Sequence, residues 1–217
     1  VFTANALQQK KAGRLDHNPL LEYISAASLV LFIYGALGDM DARLDANLAG
    51  SLAFFTAAVQ MVRFLRWRTW RIIDAPLVLV MHLSYLWFIF ALVLFGAAAF
   101  MEQIPDGLWL HAFTVGALSM MMLSLITRVA LRHTGRPLVP ARLMLLSFGL
   151  MFVAAILRVM TSAGILSSDW LAVTIMIWGL SFALYLILHG TYLIRPSLPK
   201  RKKTTGRGSD GRASELG

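Results

Sequence analysis

The stretch PLVLVMHLSYLWFIFALVLFGAAAF, residues Pro76–Phe100, runs from end to end without a charged side chain. A helix rises 1.5 Å per residue, so about 20 apolar residues cross the roughly 30 Å of hydrocarbon in a bilayer. The stretch is long enough to cross as one helix. It carries no alternation of polar and apolar residues of the kind a membrane barrel needs, and helices satisfy every backbone group within the segment. Five further runs of similar character flank it: Leu20–Gly38, Leu48–Leu65, Leu108–Thr127, Ala141–Ala163 and Trp170–Ile194. The expected fold is an all-α membrane protein of six transmembrane helices.

Composition agrees. Of the 217 residues 58% are hydrophobic, only 14% are charged, and the mean hydropathy is +0.69. A soluble domain carries about 25% charged residues, and this chain has too few to cover a water-facing surface. The net charge of +9 would point to nucleic acid if the basic residues formed one face. They sit instead in the breaks between apolar runs, and no nucleic-acid partner is expected. Cysteine is absent, which excludes disulfides, thiolate metal sites and cysteine nucleophiles.

The breaks decide orientation. Lys10, Lys11 and Arg14 precede the first run; Arg63, Arg66, Arg68 and Arg71 surround the second break; Arg128, Arg132, Arg136 and Arg142 surround the fourth. Arg195, Lys200, Arg201, Lys202, Lys203, Arg207 and Arg212 follow the last run, so only Arg43 and Arg158 fall on the other side. By the positive-inside rule both termini are cytoplasmic. The chain divides into a loop-like segment (1–19), a membrane domain (20–195) and a basic, Gly- and Ser-rich tail (196–217), expected to be disordered near anionic headgroups. Val1 in place of Met and the mixed polar opening, Val1–Asn18, read as the start of a fragment or of a processed product.

With cysteine gone, histidine and methionine are the strong metal ligands left. His17 and His133 are expected in cytoplasmic loops, and His82, His111 and His189 inside spans. Ionisable groups at membrane depth mark function more often than chance, but a neutral histidine also packs well with one hydrogen bond. His82 lies roughly 9 Å above the start of its span, and His111, near the far end of its own, differs from it by about 15 Å in depth. They are poor candidates for the two axial ligands of one haem. His82 and His189 share a depth, with Tyr185 one turn from His189, and qualify if their helices adjoin. Arg158 stands at the level of His111, either to hold a propionate or another anion through its planar fork or to snorkel to the headgroups. Met120, Met121 and Met122 point about 100° apart and cannot share one ion.

Recognition enters with HAFTVGALSMMMLSLITRVALRHTGRPL, residues His111–Leu138. It resembles the signature of the NnrS family of bacterial membrane proteins, which runs from His-Ala-x-Thr-x-Gly-Ala to Thr-Arg-x-x-Leu-x-His-Thr-Gly-Arg-Pro. His111, Ala112, Thr114, Gly116, Ala117, Met121, Thr127, Arg128, Leu131, His133, Thr134, Gly135, Arg136 and Pro137 fit; Leu118, Ser119, Met120, Met122, Ile126 and Arg132 depart. Pro76-Leu77, His82-Leu83, Tyr85 and Trp87 are also similar to the family, as is Phe2–Leu7. The resemblance implies a protein of about twelve spans in the bacterial inner membrane, of which this chain is the C-terminal half. It implies haem and copper, a link to nitric-oxide metabolism or resistance, and His82, His111 and His133 as positions to watch; His189 is outside the pattern. It implies too that the family's N-terminal half, absent here, carries a histidine-rich segment of its own. Candidate metal or haem ligands are thus His82, His111, His133 and His189, and candidate anion partners Arg128, Arg136 and Arg158. The Thr134–Pro137 loop reads equally as an anion clamp and as a plain turn. Two other functions compete: a small-ion or metal-complex transporter with histidines lining the path, and a structural membrane subunit without cofactor.

Overall fold

The computed structural model describes Thr3 and residues 18–40 and 45–196. Lys10, Lys11, Arg14, His17, Arg43 and the tail beyond 196 lie outside the described residues. Six helices are long and apolar enough to cross a membrane: α1 (Pro19–Met40), α2 (Ala46–Leu65), α3 (Pro76–Phe100), α4 (Leu108–His133), α5 (Arg142–Ser162) and α6 (Trp170–Ile194). No strand occurs among the described residues. The sequence places α3 and α6 at their observed bounds.

Boundaries shift where polar residues join the helix. α2 begins two residues before Leu48, because Asp45 caps it by accepting from the Asn47 backbone N–H at 3.1 Å. α4 runs on past Thr127 to His133, so Arg128, Arg132 and His133 are helical rather than in a loop. Leaving hydrocarbon does not end a helix made of good helix formers. What ends it is backbone chemistry. Gly135 takes a left-handed φ of 72°, its N–H bonds the Arg132 carbonyl at 3.3 Å, and the Arg136 N–H bonds the Leu131 carbonyl at 2.9 Å. That is a Schellman motif, whose left-handed position suits glycine, and Pro137 follows. The Thr134–Pro137 stretch is therefore a turn that also fixes where Arg136 lies. Asp106 and Asp169 stand at helix starts, yet neither α4 nor α6 gains a side-chain cap bond.

Helices adjacent in sequence pack as neighbours: α1 on α2, α2 on α3, α3 on α4, and α5 on α6, with α4 also touching α5 and α6. α3 and α4 form the middle. One buried cluster joins Leu77 and Val80 of α3, Met120, Leu123 and Leu131 of α4, Met144, Phe148 and Met151 of α5, and Tyr185 of α6. On the other flank of α3, Ala57 and Phe64 of α2 meet Ile89 and Leu92. Lipid tails are as apolar as leucine, so close packing and interhelical hydrogen bonds must hold such helices together. Both are present. Ser124 donates to the Leu77 carbonyl, Ser147 to the Ser181 carbonyl, and Thr56 to the Ser28 carbonyl, at 2.7–2.9 Å. α2 and α3 approach on small residues: a Cβ on Gly50 would stand 2.5 Å from that of Ala99, and one on Gly96 would stand 3.0 Å from the Gly50 carbonyl oxygen. Outward faces are apolar, with Val30, Met176 and Ile194 at 65%, 72% and 88% exposure, as a lipid-facing surface requires.

Gly96→Leu should separate α2 from α3 and cost about 1–3 kcal/mol by overpacking. Reversible unfolding in mixed detergent micelles would read the loss. Stability unchanged within error would mean that these two helices do not cross on their glycines.

Candidate functional site

Alternating spans give the bundle two ends. The basic end carries the α2–α3 and α4–α5 connections and the close of α6, with Arg66, Arg68, Arg71, Arg136 and Arg195; the opposite end carries the α3–α4 and α5–α6 connections.

At the opposite end, the first turn of α4 brings up His111 and the last part of α5 brings up Arg158. Arg158 Nη2 stands 3.0 Å from His111 Nε2. A guanidinium only donates, so His111 Nε2 must accept and the ring carries its proton on Nδ1. Directly after His111 the helix widens: Ala112–Ser119 is π-helical. Such segments are rare and recur at functional sites. The neighbours hold this one in place. Ser119 Oγ donates to the Thr114 carbonyl at 2.9 Å, five residues back, and itself accepts from Trp178 Nε1 of α6 at 3.2 Å. Thr114 Oγ1 donates to the Leu110 carbonyl at 2.7 Å. Gly116 lies under Trp87 of α3, where a Cβ would come within 2.5–2.7 Å of the indole. Trp87 in turn lines an apolar hollow of about 240 Å³ with Leu83, Leu86, Phe90 and Phe152. The stretch His111–Ala117 that looks like a signature is thus a single structural unit, a histidine followed by a wide helical turn.

At the basic end, His82 of α3 is 2% exposed and both its ring nitrogens are engaged. Thr69 Oγ1 lies 2.9 Å from Nδ1 and Thr3 Oγ1 lies 3.0 Å from Nε2. Thr69 sits in a short 3-10 turn that opens on Arg68, whose φ of 52° is left-handed. That conformation costs a residue with a Cβ roughly 1–2 kcal/mol, and here it turns Thr69 toward the histidine. Trp67 packs against His82 with ring centres 5.0 Å apart. Beside it runs a polar network that the sequence did not reveal. Arg63 binds Glu22 through Nε and Nη2 at 2.9–3.2 Å and donates from Nη1 to Tyr85 Oη at 3.1 Å; Tyr85 donates to Gln60, which also accepts from Ser25. Gln60 is fully buried in α2. The signal was a glutamate, an arginine and a glutamine inside otherwise apolar runs, but which helix faces meet is not written in any one of them.

His189 of α6 is also at the basic end, 2% exposed, stacked on Tyr185 with ring centres 5.0 Å apart. It does not join His82. α3 and α6 are not among the helix pairs that pack extensively, since α4 and its buried Met120, Leu123 and Leu131 stand between. His133, at the end of α4, is exposed, and Arg128 is buried on the same helix. The three methionines diverge as expected: Met120 is buried, Met122 is 48% exposed, and Met121 accepts from Ser84 Oγ at 3.7 Å. Of the sequence-derived candidates, His111 and Arg158 meet in a hydrogen bond, and Arg136 and His189 border the same tyrosine, Tyr192.

The donors can be tested against the implied cofactors. Among the described residues no group of three or more His, Asp or Glu side chains is placed to hold a metal ion. Haem iron can be held by a single imidazole, and His111 would offer one with a guanidinium beside it. Its Nε2 becomes available only when Arg158 lets go.

A family model described as NnrS protein matches residues 1–197. No curated protein matches, and no solved structure matches. Because Gly116 and Trp87 touch, Gly116→Ala should destabilise by about 1–3 kcal/mol, and adding Trp87→Leu should recover part of that loss. A double-mutant cycle on unfolding free energies would show it; purely additive losses would contradict the contact.

Proposed function

Because the chain belongs to the NnrS protein family, matched from residue 1 to 197, we propose that it is a haem- and copper-binding protein of the bacterial inner membrane, linked to nitric-oxide metabolism or resistance. The observation that carries the reading to particular residues is the His111–Arg158 pair at 3.0 Å beside the π-helical turn. His111 is the residue that would hold the haem iron. Haem iron supplies an open coordination position for a diatomic ligand such as nitric oxide.

The chain's own residues then have distinct tasks. Arg158 holds His111 in one tautomer while Nε2 is unligated. Were Nε2 given over to a metal, the Arg158 guanidinium beside the ring would be free to hold a carboxylate through its planar fork. His82 is the second candidate, because Thr69 on Nδ1 matches the outer-shell hydrogen bond that orients a ligating imidazole, and Thr3 then has to yield Nε2. His133, His189, Arg128 and Arg136 remain lesser candidates, since none of them meets His111. Copper in this reading draws on donors beyond the described residues.

Purified protein supplied with haem should show a Soret band that His111→Ala abolishes or strongly weakens, while His133→Ala leaves it intact. Absence of both a Soret band and copper after supplementation would sink the proposal. Orientation has its own check. Alkaline phosphatase fused in the α3–α4 connection (101–107) should be active, and fused in the α4–α5 connection (134–141) inactive, if the basic end is cytoplasmic. The reverse pattern would invert the placement of every histidine.

A further inference from the structure

The corner where α4 ends against α6 contains two buried nitrogens that no hydrogen bond among the described residues satisfies. The Schellman turn at Gly135 folds Arg136 back so that its guanidinium carbon stands 3.7 Å from the centre of the Tyr192 ring. Arg136 Nη1 is buried and has no hydrogen-bond partner among the described residues. His189 borders the same tyrosine, its ring 5.6 Å from that of Tyr192 and nearly perpendicular to it. His189 Nδ1 is likewise buried without a partner; the Tyr185 carbonyl one turn back approaches it but does not meet hydrogen-bond geometry. A buried polar group without a partner is unfavourable, all the more when it is charged.

We infer that this corner, built by Arg136, His189 and Tyr192, binds a phosphate group. Arg136 Nη1 can only donate and His189 Nδ1 donates in one tautomer, so what is missing is an acceptor. The cation stacked on Tyr192 makes an anionic acceptor the stable one. Arg136 lies three residues beyond the end of α4, at the level where a span leaves hydrocarbon and headgroup phosphates lie. The ligand chemistry is a phosphate ester or ion, either the headgroup of a bound phospholipid or soluble phosphate. The site is remote from His111, so it stands or falls apart from the ligation proposed there.

Native mass spectrometry of the detergent-solubilised protein tests it, with phosphatidylglycerol, diacylglycerol and inorganic phosphate as separate probes. Phosphatidylglycerol should bind and diacylglycerol should not, and Arg136→Gln should weaken binding by about tenfold, as loss of a hydrogen bond to a charged group does. His189→Phe, which keeps the ring volume, should weaken it in the same direction, and covers the case in which Arg136→Gln does not fold. Arg132→Gln on the exposed face of α4 should change little. Inorganic phosphate bound with the same dependence on Arg136 would identify a soluble ion as the occupant and uphold the site. Equal losses in Arg132→Gln and Arg136→Gln, or diacylglycerol bound as tightly as phosphatidylglycerol, would overturn it.

Discussion

Inside hydrocarbon no water is available to take a hydrogen bond, and every polar group at that depth must find its partner within the protein. The bundle is organised around this constraint. Its helices settle their own backbones, and the side chains that remain polar are spent on neighbours. Ser124, Ser147 and Thr56 tie adjacent helices by bonding a carbonyl of the next one. Glu22, Arg63, Tyr85, Gln60 and Ser25 close into one network across α1, α2 and α3. Charge that would be costly alone is tolerable there because donor and acceptor arrive from different helices at the same depth.

α4 concentrates the departures from a regular helix. It begins with the histidine that meets Arg158, widens into a π-helical segment under Trp87, returns to α geometry, and ends on a glycine in left-handed conformation. Each departure is supported from outside the helix or by its own turn chemistry. Trp178 reaches Ser119 from α6, Trp87 occupies the space a Cβ on Gly116 would fill, and Gly135 has no Cβ to strain. Rare backbone states persist only where the surroundings determine them. Here they place a histidine at one end of the bundle and an arginine at the other, so α4 serves two chemically different corners.

Separation is the other consequence of this layout. His82, His111 and His189 occupy three environments: two threonine hydroxyls and an indole, a guanidinium, and a pair of tyrosines. With α4 standing between α3 and α6, the similar depth of His82 and His189 does not make them partners.

Length and hydropathy alone determined the six spans, and did so because a bilayer sets one strict thickness; Pro76–Phe100 and Trp170–Ile194 were legible to the residue. Spacing also separated His82 from His111 and set the three methionines on different faces, since rise and rotation per residue are constants of the helix. The pairing of Arg158 with His111 was readable as a shared level but not as a bond. The Glu22–Arg63–Tyr85–Gln60 network, the seat of Trp67 on His82 and the orphaned nitrogens of Arg136 and His189 were not legible at all. These depend on which faces of different helices meet, and that is chosen by the summed packing of small and large side chains across the bundle, from Gly50 against Ala99 to Gly116 under Trp87, which no single segment encodes.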